Sequence, residues 1–291
     1  MTRLRVDLLV AEDPPQDGVA QLLDAHHRLG HHTRLIHLTR KPSSHRNGPA
    51  PAQRPADVAH SRASSLWALP LQRQMEDEGL LIVNTTDAQR VGRDKQLCAQ
   101  LLAAADVATL PAVLTSSDTT AASVVEQLGD DVVIKPLTGH SGHGITRAHG
   151  LETITRALAR ANGPRLVQPF ADTGGQDLRL VVIGDQVAAA YRRTAPPGDF
   201  RTNSALPGAR METCIPPAET IGLARSAARA CGLDIAGIDI SITNRYGPAV
   251  LEANTNSGIA QGLPTLTGRD LATEMARHVA TLAVNRRPPT G

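Results

Sequence analysis

The sequence predicts an α/β protein with α+β elements, and three observations predict it. A strand–helix–strand pattern opens the chain, apolar strands then alternate with alanine- and leucine-rich helices, and two strand pairs near the C-terminus read as hairpins. A length of 291 residues suggests about two domains.

Residues 4–10, LRVDLLV, form the first strand, residues 18–29 a helix closed by Gly30, and residues 33–38 a second strand. From Lys41 to Pro55 five glycines and prolines fall among serines and arginines, which predicts a mobile loop acting as a lid or a plain insertion. A helix over 66–78 leads through Gly79 into LLIVN and completes a small α/β domain near residue 85. The helix 94–105 precedes VVIKP, a short buried strand ending in a glycine-rich turn, followed by a helix over 151–161 and the strand LVQPF. DLRLVVI and QVAAAYR are separated by Gly184-Asp185, a hairpin signal. After a proline-bearing loop over 194–217, the helix 218–231 stops at Gly232, and GIDISIT pairs with PAVLEAN. A last helix over 269–283 carries Leu271, Met275, Val279 and Leu282 on one face.

Composition narrows the function classes. With 41% hydrophobic and 20% charged residues, and no run of 18 apolar residues, the chain reads as soluble with no membrane partner. Asp7 interrupts the apolar run a secretory leader needs, so a cytoplasmic location is expected. Three cysteines without CxxC spacing argue against a disulfide framework or a cysteine zinc site. A net charge of +2 and 2% aromatic residues disfavour nucleic acid as a partner. Only Lys41, Lys95 and Lys135 are lysines among 30 basic residues, which marks each as a position suited to a compact point charge.

Four constellations bear on chemistry. If NRYG (244–247) is a four-residue loop, Asp239 lies directly opposite Glu252 and shares a face with Asn254, while Ile238, Ile240 and Ile242 face the core. Opposed carboxylates repel unless something intervenes. A Mg²⁺ or Mn²⁺ ion bound by oxygen donors is one reading; a solvated pair, or one protonated acid, is the other. In IKPLTGHSGHGI, Lys135 ends a strand and Gly139, Gly142 and Gly144 let backbone amides approach an anion, or simply make a hairpin. In GRDK, Asp94 is an N-cap and Lys95 begins a helix at the end where the macrodipole disfavours a cation, which suggests a phosphate nearby. In DFRTN, Arg201 and Asn203 follow Arg192 and Arg193, a phosphoryl clamp or a solvated basic edge. The cluster His26, His27, His31 and His32 is broken by Gly30 and lacks a carboxylate ligand, which argues against zinc. No GxSxG elbow or HExxH motif is present.

Read in order, NTTDAQRVGRDKQLCAQLL, VVIKPLTGHSGHGI, LVQPF, QDLRLVVIGDQVAAAYRR, GDFRTN, AGIDIS and VLEANTNSG resemble the ATP-grasp superfamily. Within it they are similar to the RimK-like amino-acid ligases related to glutathione synthetase, over about residues 57–283. The resemblance implies an ATP-grasp fold: a Rossmann-like pre-ATP-grasp domain over 1–85, a central subdomain with the glycine-rich loop over 86–170, and a C-terminal subdomain over 171–291. It implies that Lys95 and Lys135 hold the ATP phosphates under the loop at Gly142 and Gly144. Gln168, Pro169 and Phe170 would form the adenine hinge, and Asp177 would sit near the ribose. Arg201 and Asn203, with Arg192 beside them, would contact the transferring phosphate, and Asp239, Glu252 and Asn254 would ligate magnesium.

The implied reaction activates a carboxylate with ATP to an acyl phosphate, which an amine attacks to give an amide. The carboxylate would belong to a peptide, a carrier protein or a small molecule, and the amine to an amino acid such as glutamate. A homodimer or homotetramer is implied. An ATP-binding module without ligase activity and an ATP-grasp kinase of a small molecule are the competing readings. The family's ExNxxPG pattern appears here with Ser257 in place of proline, next to the expected substrate site.

Overall fold

The computed structural model describes residues 2–11, 18–39, 55–139, 142–202, 206–255, 259 and 263–286. Residues 41–54 of the expected mobile loop, His140, Asn203 and the segment 256–258 lie outside the described residues.

The first sheet contains β1 (Arg5–Val10), β2 (His32–His37), β3 (Val58–Ser61) and β4 (Ile82–Val83), with α1 (Val19–Arg28) and α2 (Leu69–Asp77) as crossovers. Its order is β2-β1-β3-β4 and every pair is parallel. Parallel strands are covered on both faces, so β1 reads as an apolar run without alternation. Asp7 tolerates this position because Arg34, opposite it on β2, donates two hydrogen bonds of 2.8 Å to its carboxylate. The strand β3 escapes sequence reading, since VAHS is short and half polar. Both polar side chains are satisfied inside: His60 Nδ1 lies 3.3 Å from His26 Nε2, and Ser61 Oγ donates to Gln72 Oε1 at 2.6 Å.

Two helices lead onward, α3 (Thr86–Val91), not expected from the sequence, and α4 (Lys95–Ala104). Asp94 caps α4 as expected, its Oδ1 accepting from the backbone N–H groups of Gln96 and Leu97 at 3.0 and 3.1 Å. The second sheet combines β5 (Val113–Leu114), β6 (Asp131–Pro136), β7 (Thr146–His149) and β8 (Arg165–Pro169) in the order β5-β8-β6-β7, all antiparallel. The helices α5 (Ala121–Leu128) and α6 (Leu151–Ala159) pack on one face of it through Val124, Ile154, Val132, Ile134 and Val167.

The third sheet holds β9 (Gln176–Ile183), β10 (Gln186–Thr194), β11 (Arg210–Thr213), β12 (Ile235–Thr243) and β13 (Gly247–Asn254) in the order β11-β10-β9-β12-β13. The β9–β10 turn needs Gly184: its φ is +57°, and a Cβ there would stand 2.7 Å from His278 Cε1. The helix α7 (Ala218–Ala230) covers one face with Ala224, Ala227 and Ala228 against Leu180, Ile238 and Ile240.

The helices α8 (Leu263–Thr267) and α9 (Leu271–Arg286) close the chain. Leu271, Met275 and Val279 of α9 join Leu4, Val6, Leu8 and Val181 in one buried cluster, so the first sheet shares its core with the C-terminal helix and β9. Asn84 adds a polar tie between the sheets: its side chain donates to Ile235 O at 2.8 Å and accepts from Ile235 N at 2.9 Å. Among the described residues no helix is long and apolar enough to cross a membrane.

Candidate active site

Asp239 does stand opposite Glu252 in the β12–β13 ladder, by a route other than the expected one. Thr243 pairs with Gly247, so the turn has three residues rather than four, and the register then shifts by one between Asp239 and Ile240. Leu251 is the extra residue of that bulge, and it restores the Asp239–Glu252 and Gly237–Asn254 pairs. Ile238 and Ile240 are fully buried as expected, whereas Ile242, near the end of the strand, is 46% exposed.

The hairpin forms one wall of a cleft between the second and third sheets. Lys95, Lys135, Gly142, Pro169, Phe170, Asp177, Arg201, Asp239 and Glu252 line it. Asn254 faces an adjoining recess with Lys95, Gly142, Asp239 and Glu252. Gln168 is buried behind the wall, and Gly144 opens onto a different groove. Arg192, expected beside Arg201, is exposed and does not line the cleft. The alternation of β10 brings Arg193 there instead.

The two lysines meet the cleft from separate elements. Lys135 on β6 donates to Gln168 Oε1 on the neighbouring β8 at 2.7 Å. Burial lowers its pKa to about 8, the Glu252 carboxylate opposing this and the Lys95 ammonium adding to it. Lys95 begins α4, where its Nζ lies 3.3 Å from Gly139 O and 3.5 Å from Glu252 Oε1. That carboxylate and carbonyl offset the unfavourable helix end.

Asp239 and its neighbours form a buried ion network. On the adjacent strand Arg179 grips both Asp239 oxygens, and Arg193 Nη2 lies 3.0 Å from Asp239 Oδ2. Arg193 Nε also donates to Asp177 Oδ1 at 2.8 Å, and Thr202 Oγ1 donates to Asp177. The Arg193 and Asp177 side chains are only 6% and 3% exposed. Burial alone would raise the Asp239 pKa, but Arg179 and Arg193 hold it below the usual carboxylate value. Burial wins at Asp177, whose pKa is raised. With its carboxylate turned to Arg193 and Thr202, Asp177 is part of the wall.

The loop after β10 lies against the glycine-rich turn. Arg201 Nη2 binds Asp199 Oδ2 at 2.6 Å and Nη1 reaches Gly142 O at 3.4 Å. Arg201 in turn pulls the Asp199 carboxyl down to about 2. Gly142 has φ +72°, and a Cβ there would touch Arg201 Cδ at 3.5 Å. The chain's two phenylalanines meet here: Phe200 packs edge-on against Phe170 at 5.8 Å, and the Arg147 guanidinium lies 3.5 Å from the Phe170 ring centroid. Arg147 and Arg179 were not picked out by sequence reasoning, and Asp199 and Phe200 entered it only as part of DFRTN. The signal was present for Arg179, because it stands two residues from Asp177 in a strand and therefore shares its face.

Among the described residues no three histidine, cysteine, aspartate or glutamate side chains converge as metal ligands, which includes the His26–His32 segment. Asp239, Glu252 and Asn254 offer two carboxylates and an amide oxygen. That hard donor set fits Mg²⁺ or Mn²⁺ with water or phosphate oxygens completing the shell.

The family model described as the RimK-like ATP-grasp domain matches residues 92–279, which span the lysines, the glycine turn, the ion network and the hairpin. The chain belongs to the RimK-like ATP-grasp family. ATP-dependent carbon–nitrogen ligation is the enzyme class that membership carries, and ATP and magnesium are typical of it. A protein of Parasynechococcus marenigrum named probable alpha-L-glutamate ligase is 33% identical over 95% of this chain, which spans 62% of that relative's length. Probable alpha-L-glutamate ligase 1 of Hahella chejuensis is 30% identical over 97% of each chain. The RimK domain ATP-grasp protein of Sphaerobacter thermophilus shares the fold, with a TM-score of 0.69 and 21% identity over 95% of this chain and 99% of its own. The ATP-grasp fold expected from the sequence motifs is therefore the fold of this RimK-like chain.

Proposed function

We propose that this chain is a ligase that joins a carboxylate to the amine of an amino acid, glutamate by kinship with its named relatives, through an acyl phosphate. One observation carries the reading. Lys95, Lys135 and Arg201 converge with the opposed Asp239–Glu252 pair on a single cleft beside the glycine turn.

In this reading a carboxylate oxygen bonds to the γ-phosphorus of ATP as the bond to ADP breaks. The amine then displaces phosphate from the acyl carbon and loses a proton. Lys95 and Lys135 neutralise phosphate charge from two sides, and Arg201 exchanges Asp199 for the transferring phosphoryl group. Phe170 and Pro169 supply the flat apolar end of the cleft for a base. The turn around Gly142 excludes water from the acyl phosphate. Asp239, Glu252 and Asn254 would hold Mg²⁺ or Mn²⁺, whose charge supplies electrostatic stabilisation of the phosphates. Arg179 and Arg193 keep Asp239 ionised for that task. Asn203 is assigned to the phosphate by resemblance alone.

The acceptor is a peptide, a carrier protein or a small molecule, and the working form is a cytoplasmic homodimer or homotetramer, which sedimentation analysis reads. Hydroxylamine trapping with ATP and magnesium over a panel of carboxylates tests the chemistry, with mass spectrometry as the readout. A hydroxamate that requires ATP supports the ligase. A stable phosphorylated acceptor in its place would make the protein a kinase.

A further inference from the structure

The chain holds three cysteines, Cys98, Cys214 and Cys231, each a free thiol. Their spacing along the sequence suggests no pairing, yet the fold brings two of them together. Cys98 on α4 and Cys231, which caps the C-terminal end of α7, are 133 residues apart, and their sulfurs lie 3.9 Å from each other. Both belong to one buried cluster with Ala88, Leu102, Ala227 and Ala228, at 4% and 2% exposure. A single thiol in such a place is ordinary packing. Two sulfurs near van der Waals contact, on elements that meet only through tertiary packing, are within about 2 Å of a covalent bond, whose length is about 2.05 Å.

The position of the pair connects it to the nucleotide cleft. Cys98 follows Lys95 by three residues and so stands on the same side of α4. Lys95 Nζ, held by Gly139 O and Glu252 Oε1, belongs to a side chain only 11% exposed. The backbone of Ala253, between Glu252 and Asn254 on β13, is hydrogen-bonded to the Cys98 sulfur. A movement of Cys98 is therefore passed to the cation and to the carboxylate-bearing strand together. Cys231 is the more yielding partner: it ends a helix, and Gly232 after it has φ +65°, so that end opens more readily than the interior of α4. A local opening of this kind admits hydrogen peroxide, a molecule little larger than water.

We propose that Cys98 and Cys231 form a peroxide-sensitive redox pair, whose disulfide draws α4 toward the end of α7 and loosens the hold of Lys95 on the nucleotide. Peroxide transfers one oxygen to a thiol sulfur as the O–O bond breaks, giving a sulfenic acid and water. The second sulfur then bonds to the first and displaces the hydroxyl, which leaves as water with the second thiol's proton. Two thiols and one peroxide thus give one disulfide and two waters. Dithiol reductants reverse the bond, and in a reducing compartment it is transient. The proposal goes beyond the ligase reading and rests on it only for the ATP readout.

The test treats the full chain with hydrogen peroxide, blocks the remaining thiols with iodoacetamide, and maps tryptic peptides by mass spectrometry without reduction. The peptide holding Cys98 is expected joined to the one holding Cys231, two hydrogen atoms lighter than their sum, and dithiothreitol should separate them. ATP affinity by calorimetry should fall by about fivefold or more on oxidation and return with dithiothreitol. Cys231→Ala should keep the untreated affinity and lose the response to peroxide, and Cys98→Ser stands in if that variant does not fold. Cysteines that pass to sulfinic acid or stay free under peroxide, or a bond made by Cys214, overturn the proposal. So does a Cys98–Cys231 bond that leaves ATP affinity unchanged. Failure of the ligase reading would show as no ATP binding before oxidation, whereas failure of the redox pair shows in the peptide map, which needs no ATP.

Discussion

Asp239 and Glu252 face each other across β12 and β13, and neither is left to repel the other. Arg179 and Arg193 bracket Asp239, while Lys95 Nζ lies 3.5 Å from Glu252 Oε1. The two carboxylates therefore differ: Asp239 is locked in the wall, and Glu252 is partly open to the cleft, with 26% of its side chain exposed.

Glu252→Ala is expected to lower hydroxamate formation by more than about a hundredfold. Its loss of stability should stay under about 1 kcal/mol, because a half-open ion pair contributes little. Trapping and urea denaturation on the same preparation check both halves. Turnover near the wild-type rate would remove Glu252 from the metal site.

Lys135→Ala is expected to weaken ATP binding by about tenfold or more, read by calorimetric titration. Unaltered affinity would place the phosphates elsewhere in the cleft.

The same lysine sets a pH dependence. Its pKa is lowered by burial to about 8, so the charged form that attracts phosphate predominates below that pH and is lost above it. ATP affinity measured from pH 7 to pH 9 should fall by about tenfold, one decade per unit beyond the pKa. A profile that is flat in wild type, or that persists in Lys135→Ala, would contradict the assignment.

Arg193→Met should destabilise the fold by about 3–5 kcal/mol, since it strands the buried Asp177 and Asp239 carboxylates together. Adding Asp177→Asn should recover part of the loss, and the double-mutant cycle measures the coupling. A cost below about 1 kcal/mol would show that the network carries no structural weight.

The first sheet should be acid-sensitive. His26 and His60 are buried against each other, and burial holds His26 at about 4 and His60 well below the usual 6.5. As pH falls the unfolded chain takes up protons first, so stability present above about 6.5 is lost progressively down to about 4. Urea denaturation between pH 7 and pH 5 reads this effect together with that of His31, which burial also lowers, because carboxylates titrate mainly below that window. Equal stability at both ends would count against it.

Reading the sequence recovered the elements whose signals are local. The Asp94 cap, the Gly184 hairpin and the apolar runs of β1 and β6 each follow from residues within a few positions of one another. It passed over β3, whose His60 and Ser61 look wrong for a central strand until His26 and Gln72, distant in sequence, supply their hydrogen bonds. The Asp239–Glu252 pair was legible although the turn length assumed for it was one too long, because the bulge at Leu251 compensates by one residue. Arg192 stood in for Arg193 for a related reason. Strand direction and face depend on register, and register in β10 is set by its pairing with β9.

The order of the elements, the family motifs and the residue types that such chemistry needs are all written along the chain. Which carboxylate is locked and which is open, which arginine reaches the cleft, and how far Lys135 is shifted were decided only by the tertiary structure. The physical reason is that burial and charge pairing are sums over neighbours from different strands. Asp239 takes its state from burial opposed by Arg179 and Arg193, and Lys135 from burial with Glu252, Lys95 and Asp239 nearby, surroundings that exist only once the sheets have closed around the cleft.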